Sequence, residues 1–199
     1  FGDPINNDKG WDSRSISDQV EFITSGSRGW AKYYSTEGSL FLRIQNVGYN
    51  RLKLDDVTHV IAPNTAESRR TKVEQGDVLL SITADLGRTA VVPDGLGDAY
   101  INQHLAILRF RSGVNPVYAA EYLASAGGHS QIDRFTKGGT KAGLNFDDIK
   151  SMQIVIPPLD LQNKFAAIVE QVESTKQKMQ DSLEQMNNCF NALMQRYFG

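Results

Sequence analysis

The side chains best suited to do chemistry in this chain are bases set among aromatics and glycines. Between Gly26 and Lys53, five bases (Arg28, Lys32, Arg43, Arg51 and Lys53) face one acid, Glu37. Within that stretch Trp30-Ala31-Lys32-Tyr33-Tyr34 interleaves three aromatics with a base. Guanidinium and ammonium groups pair with phosphate and aromatic faces stack on bases, so the pattern suits a nucleic acid. Plain packing explains the aromatics equally well. Arg69 and Arg70 add two cations further on. A second basic run, Lys137 followed by Gly138-Gly139-Thr140-Lys141-Ala142-Gly143, offers backbone N–H groups and ammonium groups to an anion. It lacks the Lys-Ser/Thr step of a nucleotide-binding P-loop. The candidate contacts are therefore Arg28, Trp30, Lys32, Tyr33, Arg43, Arg69, Arg70, Lys137, Thr140 and Lys141.

Catalysis finds no comparable support. His59, His104 and His129 are scattered, with no metal-ligand spacing around them. Asp55-Asp56 and Asp147-Asp148 are adjacent pairs whose side chains point apart, and the second pair sits where acids favour a helix start. Neither a metal nor a cofactor is expected, and no catalytic residue is assigned. A net charge of −2 argues against a general polyanion binder and for basic patches on an otherwise acidic protein. With 40% hydrophobic and 22% charged residues the composition is that of a globular protein. No apolar run reaches the length of a membrane span and no signal peptide is visible. One cysteine, Cys189, has no internal partner, which suits the cytoplasm. The chain begins at Phe1, so a preceding targeting segment is left open.

The element that must position everything else is the final fifth of the chain. Residues 159–198 contain neither Pro nor Gly. Phe165, Val169, Val172, Lys176, Met179, Leu183, Met186, Phe190, Leu193 and Tyr197 recur at alternating steps of four and three. That is a heptad seam with one polar exception, Lys176. A helix of this length runs about 60 Å, wider than a small domain, so it must project and pair with another helix. The alternative is an ordinary amphipathic core helix, but such helices average about three turns.

Ahead of it the pattern is mostly β. Ser17 is expected to cap a short helix with Val20 and Ile23 inward. Strands are expected at 40–46, with Arg43 and Gln45 on one side, and at 57–62, 78–82, 88–93, 99–102 and 104–110. Asn115 caps a helix with Pro116 at its first position, and Gly127-Gly128 stops it. Residues 130–135 and 147–150 read as helical, and 152–156 as a strand ending at Pro157-Pro158. The fold class is α+β: a compact, mostly-β domain with short helices over residues 1–157, then one long projecting helix over 158–199.

Several motifs in order carry a resemblance. They are Phe1-Gly2-Asp3-Pro4 with Gly10-Trp11, Gly76-Asp77-Val78-Leu79-Leu80, Asn102-Gln103-His104, and Gly139-Thr140 with Leu144-Asn145 leading to Ile156-Pro157-Pro158-Leu159 and Gln162. Across nearly its whole length the chain resembles one half-repeat of the DNA-specificity subunit of type I restriction-modification systems. The resemblance implies a target-recognition domain reading one part of a split DNA site, and a helix that pairs with a second half-repeat in an antiparallel coiled coil. It also implies methyltransferase subunits as partners and, in full complexes, an endonuclease subunit. A DNA amino-methyltransferase motif is absent, since the one Pro-Pro follows Ile156, so the chain reads as non-catalytic. Unlike the usual subunit it holds one recognition domain and one long helix. Phe-Gly at both ends favours one repeat cut from a longer chain, or one that pairs with a copy of itself. The alternatives are a specificity domain detached from a single-chain restriction enzyme, and a coiled-coil interaction module that binds no DNA.

Overall fold

The structure, a computed structural model, describes residues 3–136 and 143–198. The element order is β1 (Asp12–Ser15), α1 (Ile16–Gln19), β2 (Val20–Ser25), β3 (Tyr34–Ser35), β4 (Ser39–Leu42), β5 (Thr58–Val60), α2 (Ala66–Thr71) and β6 (Val78–Ser81). Then come β7 (Thr89–Val91), β8 (Ala99–Ile101), β9 (Leu105–Phe110), α3 (Pro116–Ala124), α4 (Ala126–Thr136), α5 (Phe146–Ser151), β10 (Gln153–Ile156) and α6 (Leu159–Phe198). Short 3-10 turns occupy Trp30–Tyr33 and Ile44–Asn46. The α+β class, with a mostly-β head and a long C-terminal helix, is as the sequence indicates.

Strand β9 explains the layering. It is the second strand of an antiparallel sheet ordered β2-β9-β6-β7. Side chains alternate across a strand, so one run of apolar residues can serve two cores. Ala106, Leu108 and Phe110 join Val78, Leu80, Ile16, Tyr118, Leu123 and Ile149 beneath helices α3, α4 and α5. Leu105 and Ile107 join Leu79, Ala90, Leu42 and Ile101 on the other face, against the second sheet. That sheet is ordered β3-β5-β4-β8, with β4 and β8 parallel. Strand β1 pairs with β10 and ties the start of the head to its end.

Arg109 interrupts β9 and finds a partner. Its guanidinium forks onto buried Asp77 at 2.8 and 2.9 Å, reaches Glu74 at 2.8 Å and lies 5.2 Å from the Phe22 ring centre. A fully buried carboxylate needs such a bidentate partner, because desolvating it alone costs several kcal/mol.

Three local expectations differ from the structure. Val20 and Ile23 lie on β2, not on a helix, because the β-branched and aromatic run 20–25 pairs with β9. The helix before it is a single turn that starts after Ser15. Residues 40–46 do not continue as a strand beyond Leu42. The Asn46 side chain accepts from the Arg43 N–H and donates to the Lys53 and Asp56 carbonyls, which winds the chain into a 3-10 turn. Gly127 and Gly128 do not stop α3. They lie inside α4, and a Cβ on Gly128 would fall 2.0 Å from the Leu123 carbonyl oxygen. Gly128 lets α4 approach α3 closely, while a Cβ on Gly127 would lie 2.8 Å from the Pro4 carbonyl oxygen; α3 has already ended at Ser125.

Helix α6 begins docked and ends free. Gln162 is fully buried: its Oε1 accepts from the Asn115 N–H at 2.9 Å, and its Nε2 donates to Pro157 O at 2.8 Å and Gly113 O at 3.3 Å. Ala166 is buried and Phe165 meets the Tyr118 ring edge-on at 5.8 Å. Beyond Glu173 every described residue of the helix is exposed.

Candidate nucleic-acid interface

The first basic segment forms the loop after β2 and the 3-10 turn that follows. Gly29 opens the turn with φ +85°, a conformation that glycine adopts without steric cost. Trp30 follows and is only 4% exposed. Its indole stacks on Phe41 at 5.0 Å, lies 5.2 Å from Tyr100 and donates Nε1–H to Ser27 Oγ at 3.3 Å. Of the two roles open to it, Trp30 takes packing: it centres a small core and has no face to offer a base. Tyr33 meets it edge-on at 5.9 Å and carries Lys32 Nζ 4.9 Å above its ring. Arg28 and Lys32 are exposed and flank a cleft of about 100 Å³, whose far wall is Pro63, Thr65, Glu67 and Ser68 at the start of α2.

Helix α2 uses its cations differently. Thr65 caps it by accepting from the Ser68 N–H at 3.2 Å. Arg70 donates to Thr24 Oγ1 and, at 2.7 Å, to Ser25 O, so its guanidinium clips the helix to the end of β2. Arg69 is exposed and donates to Asn64 Oδ1 at 2.7 Å. Arg43 follows β4 and is half-buried, with an Nε that has no protein partner. It therefore does not share an open strand face with Gln45, the 3-10 turn having removed that face. Lys137, Thr140 and Lys141 lie outside the described residues.

Four residues that are not among the ten candidate contacts also build this edge: Ser27, Thr83, Gln103 and His104. Ser27 bridges Asn102 at the end of β8, and Asn102 Oδ1 accepts from the His104 N–H at 3.1 Å. Gln103 Nε2 donates to His104 Nε2 at 2.9 Å, leaving Nδ1–H to face Thr83 Oγ1 at 2.5 Å. Thr83 in turn bridges Gly143, and Leu144 N–H donates to Ile82 O at 2.9 Å. A relay of contacts thus joins the Arg28–Lys32 loop to the C-terminal end of the second basic segment. The signal was present in the sequence as the Asn102-Gln103-His104 triplet, which sits between two strands where a tight turn needs its own polar partners.

Gly26 fixes this edge. A Cβ there would lie 2.2 Å from the carbonyl oxygens of Ile101 and Asn102. Only a hydrogen fits where β2 crosses the end of β8. Among the described residues no group of three or more His, Cys, Asp or Glu could hold a metal ion. No helix among them is long and apolar enough to cross a membrane. The edge offers hydrogen-bonding groups and positive charge, the chemistry that suits a polyanion.

The long helix presents the other unsatisfied surface. Val172, Leu183 and Leu193 are nearly half exposed, and Met179, Met186, Phe190 and Tyr197 are 60–68% exposed, all on the heptad seam. Phe165 and Val169 are partly covered by the head.

The family model for the type I restriction modification DNA specificity domain matches residues 9–187. The chain belongs to that family. This specificity domain is 20% identical over 169 residues to the type I restriction enzyme EcoBI specificity subunit of Escherichia coli, aligning over 81% of the chain and 35% of that relative. The chain thus spans about a third of the length of the curated relative that it matches. Its fold is shared with a chain from a study of complex assembly and conformational transition in a type I restriction-modification system (TM-score 0.65, 21% identity, 94% of this chain and 44% of that one). It is shared also with the HsdS subunit from Thermoanaerobacter tengcongensis (TM-score 0.60, 22% identity, 87% and 40%). A third is the type I S subunit from M. genitalium (TM-score 0.59, 14% identity, 96% and 46%).

Proposed function

We propose that this specificity domain reads one half of a bipartite DNA site for a type I restriction-modification complex in the cytoplasm. Residues 1–157 are the recognition domain and residues 158–199 the rod that pairs with a second half-repeat. The chain is not itself the enzyme: methyltransferase subunits, and an endonuclease subunit in the full complex, supply the chemistry. The observation that carries this reading is the chain of contacts from the Arg28–Lys32 loop through Asn102, His104 and Thr83 to Gly143, in a member of the specificity family. Arg28 and Lys32 contact phosphate there. Gln103 and His104, held by Asn102 and Thr83, are placed to meet base edges. Tyr33 lines the same cleft, Arg69 follows Ser68 of its wall in α2, and Lys137, Thr140 and Lys141 belong to the segment that ends at Gly143.

Fluorescence polarisation with duplex DNA at low and high salt tests it. Alanine in place of Arg28 or of Lys32 removes one phosphate-binding cation, which reduces the salt slope by about one and weakens all sequences alike. A change at Gln103 instead relaxes preference at one position of the site, at about 1–3 kcal/mol. Binding that is insensitive to salt, or affinity unchanged after both cations are removed, overturns the assignment of this edge. Methylome sequencing with and without the gene then gives the site itself: a bipartite motif disappears with it.

A further inference from the structure

The edge that holds Ser27, Asn102 and His104 continues beyond them. Strands β4 and β8 run parallel, so their C-terminal ends lie side by side. The Asn102 N–H donates to Leu42 O at 3.0 Å, and the chain leaves Leu42 for Arg43, the 3-10 turn and then residues 47–53. The turn between β6 and β7 reaches the same place: Arg88 Nη1 donates to Val47 O at 3.5 Å, and its guanidinium lies 5.6 Å from the Tyr49 ring centre. Arg88 is itself neutralised by Asp85. Arg51 and Lys53, two cations of the first basic segment that the recognition edge leaves unused, stand on this continuation.

The loop is built to hold them. Val47 bridges Leu52, the Gly48 N–H donates to Arg51 O at 2.8 Å, and the Lys53 N–H donates to Asn46 O at 2.8 Å. At the tip Asn50 takes φ +61°, a left-handed conformation that asparagine tolerates better than most residues. Its amide is engaged at both ends: Nδ2 donates to Glu121 Oε2 at 2.5 Å and Oδ1 accepts from Thr89 Oγ1 at 2.6 Å. Both cationic side chains lie over Gly48, where an added Cβ would meet Lys53 Cε at 3.0 Å and Arg51 Cγ at 3.5 Å. Arg51 and Lys53 are exposed, and among the described residues neither has an ion-pair partner. The result is a short, ordered loop with two charges to give and no free amide edge for reading a base. A loop already ordered loses little conformational freedom on binding.

The loop also lies on the rod side of the head. Leu52 and Leu54 line a groove of about 600 Å³ together with Val169, Gln177 and Gln180 of α6. Gln180 lies about 27 Å along the helix from Gln162. Arg51 borders the groove as well, with Glu170 and Glu173 on the opposite wall and an ion pair to neither. On the proposed pairing two heads sit at opposite ends of paired rods, so the duplex between the half-sites runs past the rod side of each head. We propose that residues 47–53 form a second DNA contact, in which Arg51 and Lys53 hold backbone phosphates of the non-specific spacer while the edge from Ser27 to His104 meets the half-site. The proposal rests on the DNA-recognition reading and extends it to the DNA between the half-sites. Phosphate contacts orient a duplex without carrying sequence information, so this loop aligns the spacer with α6 and leaves the choice of site to other residues.

The test uses the full 199-residue chain. Arg51→Gln combined with Lys53→Gln removes two charges from exposed side chains and leaves the urea midpoint unchanged. In polarisation against a random-sequence duplex of about 30 base pairs, the slope of log affinity against log salt falls in magnitude by about two. With the double variant in place of the native gene, methylome sequencing returns the same bipartite motif. Phosphate-ethylation interference on a duplex carrying that motif loses signals only in the spacer. An unchanged salt slope overturns the proposal. So does a motif with altered half-site bases, which makes Arg51 a base reader, or a loss of ethylation signals within or outside the half-sites. The Arg28 and Lys32 variants in the same assays report the recognition edge separately. If they change affinity and the double variant does not, this proposal fails alone; if native binding is itself insensitive to salt, the recognition reading fails with it.

Discussion

Replacing Gln162 with Leu keeps the side-chain volume and removes three hydrogen bonds at the root of the rod. The bonds differ in worth. Gly113 is exposed, so its carbonyl turns to water at little cost. The Asn115 N–H and the Pro157 carbonyl are enclosed by α6 and lose their partner outright, at about 1–3 kcal/mol each. The extra apolar surface of Leu returns a part, about 1 kcal/mol. The net loss is about 2–4 kcal/mol, which for a chain of this size lowers Tm by roughly 5–15 °C. Urea unfolding measures it directly, as a fall in midpoint at constant slope. Because Asn115 also caps α3 by accepting from the N–H groups of Val117 and Tyr118, the damage reaches the first turn of that helix. Gln162→Glu keeps the acceptor for Asn115 but sets a carboxylate oxygen against the Pro157 carbonyl, so it recovers some stability only when protonated at low pH. A Gln162→Leu protein that loses less than about 1 kcal/mol refutes the view that this residue latches the rod to the head.

Gly26→Ala drives a methyl group into two backbone carbonyls and is expected to cost more than about 2 kcal/mol by urea unfolding, with DNA binding lost alongside. Asp77→Ala removes the bidentate partner of Arg109, leaves its guanidinium only Glu74, and is expected to cost about 3 kcal/mol, whereas an Asp77→Asn, Arg109→Met double change recovers much of it. Burial raises the Glu121 carboxyl above its ordinary value, with the negative charge of Glu173 adding to the effect. The folded chain therefore holds that proton to higher pH than the unfolded chain, and stability falls as pH rises from the unfolded value through the folded one. Glu121→Gln accordingly raises Tm at neutral pH and changes it little at about pH 3, below the ordinary carboxylate range; equal Tm differences at both pH values contradict the burial. Deleting one heptad, residues 176–182, shortens the rod by about 10 Å in phase and shortens the spacer of the recognised site while its half-site bases stay the same, read by methylome sequencing.

What was legible in the sequence was whatever obeys a local period. Leu105 to Phe110 form a short, almost unbroken apolar run, Phe165 to Tyr197 repeat by heptads, and Asn115-Pro116 is a helix start written in two residues; each is found where its pattern places it. The misreadings lie where a partner distant in sequence decides. Residues 20–25 could follow either period until β9, more than eighty residues later, supplies hydrogen bonds for a strand. Asn46 ends β4 through the carbonyls of Lys53 and Asp56, which no pattern within 40–46 foretells. A Gly-Gly pair reads as a stop by propensity, and only the approach of Pro4 to Gly127 and of Leu123 to Gly128 shows why α4 needs it.

The candidate site was half legible for the same reason. Charge is a property of composition, so the two basic segments could be marked without a fold. Which of their members are free is a matter of tertiary contact: Arg70 is taken by Thr24 and Ser25, and Trp30 by Phe41 and Tyr100, while Arg28 and Lys32 stay open. That the Arg28–Lys32 loop is joined through a few contacts to Gly143 depends on β8 ending at Asn102, opposite Ser27, and on Thr83 bridging Gly143. The rod obeys a similar logic at its root. Phe165 belongs both to the heptad seam and to the contact with Tyr118, so the residue that begins pairing is also one that the head already holds. With Gln162 bonded to three backbone groups one turn earlier, the direction in which α6 leaves the head is set by buried contacts rather than by a linker. A rod fixed at its root can transmit a distance. On the proposed pairing, two recognition edges carried on two such rods are held at a separation that changes in steps of whole heptads, because any other step turns the seam away from its partner.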